Sequence, residues 1–355
     1  MSPLELSARE VALAPPRAHG PPTASGQLRA QPEDFVVEED LGFAPAGLGQ
    51  HLLLKVRKRD ANTQWVAREL AKLAGCRPFE VGFAGLKDRH AIAVQWFSVP
   101  RLRTALDWPG VRAADFEVLE AQAHNRKLPR GALAGNRFTV RIRAPEGDGA
   151  RLSAALSPRL AEIARRGVPN YFGPQRFGRD GANLLRGREG LGNLRREERG
   201  FLLSAARSVV FNAVLAVRVT DGSWERLVEG DLANLDGRGS LFAADAADPT
   251  LTERCGRLEI HPTGPMWGAG SPATLARVLE LETRVGAQFQ EESQLCAAAG
   301  MAQERRSLRL AVRELESEPE PGACVLHFRL ARGSFATAVL RELITDVLVT
   351  GEDSD

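Results

Sequence analysis

Residues 81–99, VGFAGLKDRHAIAVQWFSV, combine a short apolar strand, a turn that contains Gly85, and a longer strand. In the longer strand, residues 92–99, apolar side chains recur at every second position. A period of two is typical of a β-strand with one face toward a hydrophobic core. The stretch therefore predicts two strands joined by a charged turn, which carries Lys87 and Asp88.

Neighbouring segments repeat this strand pattern. Over residues 136–143, Phe138, Val140 and Ile142 alternate with polar and basic side chains, so one face is apolar and the other basic. Shorter strands are predicted over residues 35–37, 51–56 and 326–330. Strands of this kind, with one solvated face, are typical of an antiparallel sheet with helices packed on one side. The sequence predicts an α+β fold with a mainly antiparallel sheet.

Helix signals lie between the strands. Asn62 and Thr63 are expected to begin a helix, and Gly75 to end it as a C-terminal cap. Near the C-terminus, Ser334 can cap a second helix. The apolar side of that helix would carry Val339, Leu343 and Val347.

The pattern changes in the middle of the chain. From about residue 167 to 315, helices such as 201–219, apolar nearly all round, are mixed with Gly- and Asp-rich loops. We interpret residues 167–315 as an inserted α/β domain. Residues 27–166 and 316–350 would form one discontinuous domain around it, and residues 1–26, rich in proline, a loose leader.

Composition excludes several classes of protein. The chain has 355 residues, of which 43% are hydrophobic, and no apolar run approaches the roughly 20 residues of a membrane helix. Residues 1–26 do not resemble a signal peptide. The four cysteines form no metal-ligand spacing and require no disulfide, which fits a reducing cytoplasm. The six histidines are scattered, and no nucleotide-binding or metalloprotease motif occurs. No metal or cofactor is predicted.

Charge is distributed unevenly along the chain, although the net charge is only +2. Residues 1–120 are balanced, residues 121–210 carry +11, and residues 211–355 carry −9. A basic segment of this size is typical of a surface that binds phosphates, with counterion release contributing to affinity. A merely solvated surface is the alternative, since the excess of arginine can also follow from genomic composition.

The turn at Asp88 has the features of a reactive carboxylate. Gly82 and Gly85 allow the backbone to approach a ligand closely. Lys87 and Arg89 flank the carboxylate and favour its ionised form, as an aspartate nucleophile requires. From spacing alone, an ordinary charged turn with local ion pairs explains the same residues.

Together with the downstream Gln95, this turn resembles the signature of the TruD family of transfer RNA pseudouridine synthases. Further motifs of that family are matched in order along the chain, including PEDFVV at 32–37 and VPNYFGPQRFG at 168–178. The remaining matches are residues 39–43, 131–133, 135–139, 203–208, 333–337 and 340–343. They span about residues 28–345.

The resemblance implies a pseudouridine synthase core that is interrupted by a TRUD insertion. It makes Asp88 the catalytic residue, and Phe35, Asn136 and Phe335 the residues that contact the target nucleotide. An aromatic ring can stack on a flipped uracil, and an amide can pair with its polar edge. Arg29 stands where many members have a lysine. Arg29 and Lys87 would support the site.

The implied reaction converts uridine to pseudouridine, at uridine-13 in the D arm of tRNA, without a cofactor. The target uridine would leave its stack to reach a buried aspartate. The partner is tRNA, no protein partner is evident, and a monomer is expected. The candidates for phosphate contacts are Arg126, Lys127, Arg130, Arg165, Arg166, Arg176 and Arg179. Two other functions stay open: a tRNA folding helper that binds RNA without catalysis, and a hydrolase with an aspartyl nucleophile.

Overall fold

The computed structural model describes residues 6–101 and 106–346. Its helices are α1 (Ala8–Leu13), α2 (Thr63–Ala74), α3 (Gly149–Arg166), α4 (Ala182–Arg188), α5 (Arg196–Thr220), α6 (Pro249–Gly256), α7 (Ala276–Gln288), α8 (Gln290–Ala298) and α9 (Ala336–Leu343). Its strands are β1 (Ala24–Gly26), β2 (Phe35–Asp40), β3 (His51–Arg59), β4 (Gly82–Phe83), β5 (Ile92–Pro100), β6 (Phe116–His124), β7 (Gly135–Arg143), β8 (Val168–Pro169), β9 (Leu232–Leu235), β10 (Leu241–Ala243), β11 (Ile260–Met266), β12 (Glu304–Ser307), β13 (Arg309–Leu310), β14 (Arg313–Glu320), β15 (Ala323–Ala331) and β16 (Ile344–Asp346).

The chain divides into two compact units. The sheet unit comprises Thr23–Leu160, Arg313–Gly333 and Ile344–Asp355, and the helix-rich unit comprises Met1–Pro22, Ala161–Val312 and Ser334–Leu343.

A single large sheet dominates the sheet unit. Its strand order is β14-β15-β7-β2-β5-β3-β6, and β4 pairs with β5. Within this sheet β2 and β5 run parallel, and the other neighbours run antiparallel. The prediction of an α+β fold with a mainly antiparallel sheet is confirmed.

The alternation predicted for β7 is also present. Phe138, Val140 and Ile142 are buried, whereas Arg137 is exposed and Arg141 half-buried. Because successive side chains of a strand point to opposite faces, one face of β7 enters the core and the other carries the basic groups. The strand is paired on one side with β2 and on the other with β15.

Helix α2 has the predicted ends. The Asn62 side chain accepts a hydrogen bond from the backbone N–H of Gln64 at 2.8 Å, and Gly75 adopts the left-handed conformation with φ of 63°. Val66 and Leu70 are fully buried among apolar side chains of β3 and β5. The helix is therefore fixed at both ends and along one face.

Helix α5 forms the centre of the helix-rich unit and covers the predicted helix 201–219. Among the described residues it is the one helix long and apolar enough to cross a membrane, yet 72% of its apolar stretch is buried inside the protein. Val209, Val210 and Phe211 are fully buried in one core cluster. An apolar helix with this burial has the environment of a core helix. A four-stranded antiparallel sheet, β10-β9-β11-β12, belongs to the same unit.

The N-terminal residues differ from the expected loose leader. Helix α1 begins at a capping box between Ser7 and Glu10, and Val11 and Ala12 are buried in the same core cluster as α5. The expectation of a loose segment is wrong for residues 6–22, because the apolar side of this short helix packs into the core. The proline-rich composition gave no sign of that contact.

The C-terminal helix begins two residues after Ser334 and ends at Leu343, where β16 follows. Val339 and Leu343 are fully buried, as the predicted apolar side requires. Val347, which the sequence placed on the same helix, lies outside the described residues. Residues 334–343 are grouped with the helix-rich unit.

Candidate active site

Asp88 lies in the loop between β4 and β5. Its Oδ2 accepts a hydrogen bond from Nη2 of Arg29 at 2.9 Å, and its side chain is 52% exposed. The expectation of a buried aspartate is wrong in this respect, because the loop leaves the sheet before the carboxylate is reached. The sequence suggested Lys87 and Arg89 as the cations beside the carboxylate. The cation that contacts it is instead Arg29, which lies 59 residues earlier in the chain.

Lys58 holds the backbone of the same loop. Its Nζ donates to the carbonyl oxygens of Asp88 and Ala61, both at 2.7 Å, and the residue is fully buried. Burial lowers the pKa of Lys58 to about 8, and the negative charge of Asp88 opposes this shift. Lys58 thus fixes the main chain at Asp88 from inside the protein.

A second set of hydrogen bonds fixes the beginning of the turn. Nε2 of Gln95 donates to the Gly85 carbonyl at 2.6 Å. The Thr63 hydroxyl donates to Oε1 of Gln95 and accepts from the backbone N–H of Lys87, both at 3.1 Å. Because Gln95 and Thr63 are buried, strand β5 and the first residue of α2 together hold the turn in place.

Lys87 points to a different partner from Asp88. Its Nζ donates to Oδ1 of Asn136 at 2.7 Å and lies 3.0 Å from Oε1 of Glu39. The other Glu39 oxygen accepts from the backbone N–H of Trp96 at 2.9 Å. Burial raises the pKa of Glu39, and the charge of Lys87 counteracts that increase. A buried ion pair therefore orients the Asn136 amide, leaving its Nδ2 without an acceptor among the described residues.

Phe35 is connected to Asp88 through Arg29. The Arg29 guanidinium carbon lies 4.3 Å from the centroid of the Phe35 ring, while the same side chain pairs with Asp88. Phe35 is only 3% exposed and makes an edge contact with Phe138, at 6.0 Å between ring centroids. Arg29 itself adopts a φ of 54°, which is uncommon for a residue with a side chain. The guanidinium therefore covers the ring and binds the carboxylate at once.

The segment before Phe35 is fixed by a second arginine. Asp34 is fully buried and accepts two hydrogen bonds from Arg143, each at 2.8 Å. Asp34 also accepts from the backbone N–H of Gln31 at 3.2 Å. This bidentate pair ties the start of β2 to the end of β7 and so sets the position of Phe35.

Phe335 lies in the helix-rich unit. Its ring centroid is 6.1 Å from that of Phe172, and the guanidinium carbons of Arg176 and Arg306 each lie 5.8 Å from it. The sheet unit brings together Asp88, Arg29, Phe35, Lys87 and Asn136. Phe335 belongs to the other unit, where aromatic and basic side chains surround it.

The predicted phosphate contacts fall into different environments. Arg166 is a poor candidate, because Glu162 and Glu225 both bind its guanidinium. Arg176 is half-buried against Phe172 and donates to the Ser204 hydroxyl. Exposed side chains remain at Arg126, Lys127, Arg130, Arg165 and Arg179.

Several residues of the site were missed from the sequence. Lys58 shares one face of β3 with the buried Leu54 and Val56, so a lysine at the end of an apolar face was the available signal. Glu39 likewise shares the buried face of β2 with Phe35 and Val37. Thr63 was recognised only as a helix start, since its contact with Gln95 depends on the tertiary fold.

The fold and this group of residues define an α+β protein with a carboxylate held in a basic, aromatic environment. The family model of tRNA pseudouridine synthase D (TruD) matches residues 18–189 and 184–343. The chain belongs to the TruD family of tRNA pseudouridine synthases.

Curated relatives and a solved structure agree with that assignment. A tRNA pseudouridine synthase D of Methylococcus capsulatus is 46% identical over 93% of this chain and 94% of its own length. A protein of the same description from Nitrosococcus oceani is 44% identical over 94% of this chain and 94% of its own length. Another, from Xanthomonas euvesicatoria, is 43% identical over 93% of this chain and 95% of its own length. A crystal structure of a TruD protein from Methanosarcina mazei has a TM-score of 0.71 at 21% identity and covers 96% of this chain and 99% of its own. That structural likeness shows a shared fold.

Proposed function

We propose that this protein isomerises uridine to pseudouridine in tRNA, at uridine-13 of the D arm, with Asp88 as the nucleophile. The observation that carries the proposal is the contact of one side chain, Arg29, with both the Asp88 carboxylate and the Phe35 ring. A nucleophile and a surface for a nucleobase are thereby placed side by side. The curated relatives, described as tRNA pseudouridine synthases, support the reaction and the class of substrate.

The reaction breaks the N1–C1′ glycosidic bond, turns the uracil, and forms a C5–C1′ bond. One proton leaves C5 and N1 gains one, so the reaction is redox-neutral and requires no energy input. Because Oδ2 of Asp88 is bound by Arg29, Oδ1 is the oxygen that meets the substrate, at either the uracil ring or the ribose. Arg29 would keep the carboxylate ionised and oriented until that contact.

We assign contacts with the target nucleotide to Phe35, Asn136 and Phe335. Lys87 occupies Oδ1 of Asn136, so Nδ2 is directed as a donor for a uracil carbonyl. Stacking on Phe35 requires the Arg29 guanidinium to leave the face of the ring that it covers. A base that takes its place would lie next to Asp88. The cost of extruding the base, about a few kcal/mol, would be offset by stacking and by phosphate contacts.

We propose that the catalytic residue belongs to a discontinuous domain of residues 27–166 and 316–350; it lies in the sheet unit, whereas Ser334–Leu343 of that predicted domain are grouped with the helix-rich unit. Residues 167–315 would be the inserted TRUD domain. We place the activity in the cytoplasm and expect a monomer.

A map of pseudouridine in total tRNA tests the substrate and its position. Cells with and without the gene for this protein are compared by chemical probing at single-nucleotide resolution. We expect the signal at uridine-13 to disappear with the gene and to return with the wild-type copy but not with Asp88→Asn. A signal at uridine-13 that persists without the gene, or a different position that disappears, would contradict the assignment.

A further inference from the structure

A groove of about 710 Å³ lies in the sheet unit. Its walls are the exposed side of α2, the segment from Pro78 to Phe83, and the loop from Lys127 to Arg130. A pocket of this volume lies within the usual range for small-molecule sites, about 300–1,000 Å³, and is large enough for a nucleotide. Lys127 and Arg130 of this groove are candidate phosphate contacts from the sequence, but neither the motifs nor the proposed chemistry assigns a role to the groove itself.

The charge of the groove has one sign. Arg68, Lys127 and Arg130 line it, and no carboxylate belongs to its described lining. Within residues 6–101 and 106–346, none of these three cations forms an ion pair with a protein carboxylate, although cations elsewhere in the sheet unit commonly do. A set of exposed, unneutralised cations around one cavity is complementary to an anion.

The groove also presents an aromatic surface. Phe79 is 68% exposed, which is unusual for such a large apolar side chain, and Nζ of Lys127 donates to its backbone carbonyl at 2.5 Å. On the floor of the groove the Arg130 guanidinium lies 3.7 Å from the centroid of the Phe83 ring. Cations alternating with an exposed ring are typical of proteins that bind single-stranded nucleic acid through phosphates and stacked bases.

The backbone beneath the groove depends on Gly82. A side chain at this position would meet the Leu128 carbonyl oxygen at 2.4 Å and the Ser98 hydroxyl at 2.5 Å, so only glycine allows the loop to pack against β4. The groove shares two elements with the Asp88 loop: β4 lines the groove and leads into that loop, and Thr63, the residue before Gln64 of the groove, accepts from the backbone N–H of Lys87. The groove and the turn at Lys87 are therefore held by the same helix and the same strand.

We propose that this groove binds a nucleotide of the substrate RNA other than the target uridine, with its base on Phe79 and its phosphates at Arg68, Lys127 and Arg130. This inference rests on the proposed function for the identity of the substrate. It adds a binding site that keeps the RNA on the sheet unit while the target base is extruded. The groove contributes to affinity for RNA, whereas Asp88 determines the rate of the chemical step.

The test compares the full-length protein with Arg68→Gln/Phe79→Ala and a matched control, Lys72→Gln. Lys72 lies one turn further along α2, is exposed, pairs with Glu69 and does not line the groove. Affinity for an unmodified tRNA transcript is measured over a range of salt concentrations, and turnover is measured at saturating RNA. All three proteins are checked for folding by thermal unfolding.

For the double variant we expect a Kd raised about tenfold or more, since one stacked base and one phosphate contact are lost. The slope of the logarithm of the association constant against the logarithm of salt concentration should become shallower by about 0.7–0.9, which is the contribution of one phosphate contact. Lys72→Gln should match wild type in Kd, salt slope and turnover, so that a change seen only in the double variant is assigned to the groove. A folded double variant with the wild-type Kd and salt slope overturns the proposal, and then a protein segment becomes the candidate occupant.

The two proposals fail in different ways. A wild-type protein that binds tRNA and makes no pseudouridine would refute the proposed function, and the affinity measurement would still decide on the groove. If the wild type is active and the groove substitutions leave the affinity for RNA unchanged, only the proposal about the groove is refuted. As a second measurement, a photoreactive phenylalanine analogue at position 79 should crosslink to one defined nucleotide of the tRNA other than the target, and crosslinking that is absent or spread over the whole tRNA would contradict the proposal.

Discussion

Cations surround a candidate functional residue in each unit of this protein, Asp88 in one and Phe335 in the other. The two groups of cations make different contacts. Around Asp88 in the sheet unit, Arg29, Lys58 and Lys87 each bind an oxygen of a carboxylate, carbonyl or amide. Around Phe335 in the helix-rich unit, Arg176 and Arg306 lie against aromatic rings. In the first region cations orient oxygen atoms, and in the second they contribute packing surface.

Burial lowers the pKa of one cation near Asp88 and of two cations near Phe335. It lowers the pKa of Lys58 to about 8 and that of Arg306 to about 9, and it also lowers the pKa of Arg176. The free-energy cost of burying a charge is offset near Asp88 by specific oxygen acceptors. Near Phe335 it is offset in part by the rings and by the Asn170 amide oxygen, which binds Arg306 at 2.6 Å. Replacement of each cation by methionine, which is uncharged and flexible, should separate the two uses.

The largest effect is expected for Lys87→Met. The substitution leaves Glu39 buried without its cation and should cost about 3–5 kcal/mol of unfolding free energy at neutral pH. Because the pKa of Glu39 in the folded protein would rise further, the loss should shrink as pH falls and the carboxyl is protonated. Urea unfolding at pH 5 and pH 7 measures both effects. Adding Glu39→Gln should restore part of the stability, and a double variant no more stable than Lys87→Met would contradict the pairing.

A smaller and pH-dependent effect is expected for Lys58→Met. The folded-state pKa of about 8 lies below the usual value of 10.5, so between these values the unfolded chain binds more protons. Wild-type stability should therefore rise relative to the variant from pH 8 to about pH 10, by up to about 3 kcal/mol. Thermal unfolding of both proteins across this range provides the measurement. Stability curves that run parallel would show that Lys58 has an ordinary pKa.

Arg29 should affect activity more than stability. Its ion pair with the half-exposed Asp88 is expected to contribute less than about 1 kcal/mol to folding. Arg29→Ala should nevertheless lower the single-turnover rate about tenfold or more, because the carboxylate loses its orienting partner. Arg29→Lys keeps the charge and should recover most of that rate. Equal rates for wild type and Arg29→Ala would remove Arg29 from the proposed site.

The smallest effect is expected for Arg176→Met. Burial already lowers the pKa of this arginine, and its side-chain hydrogen bond goes to the Ser204 hydroxyl at 3.0 Å. Methionine can fill the same space against Phe172, so the unfolding free energy should change by less than about 1 kcal/mol. Urea unfolding beside Lys87→Met gives the direct comparison. If Arg176→Met lowers the unfolding free energy as much as Lys87→Met does, the region around Phe335 depends on its cations as strongly as the region around Asp88.

Local patterns made much of the fold predictable. The alternation in β7 and the caps of α2 depend on neighbours within a few residues, and both are present as expected. The contacts of the site are different in kind. Arg29 meets Asp88 across 59 residues and Lys87 meets Asn136 across 49, so the partners follow only from the strand order of the sheet.

Two features of the chain show why the remainder was missed. Lys58 belongs to a strand whose other inward positions are apolar, and its acceptors are backbone carbonyls that carry no signal in the sequence. The burial of Val11 and Ala12 depends on a core formed by residues about 200 positions away. Long-range contacts of this kind cannot be obtained from composition or periodicity.

Asp88 is the proposed nucleophile of this tRNA pseudouridine synthase family member. The most direct test of this assignment is single-turnover pseudouridine formation by wild type, Asp88→Asn and Asp88→Ala on one tRNA transcript, with RNA affinity measured in parallel. We expect product from wild type, none above background from either variant, and an RNA Kd for both variants within severalfold of the wild-type value. Pseudouridine formed by purified Asp88→Ala would contradict the assignment, as would a wild type that binds tRNA tightly and yields no product.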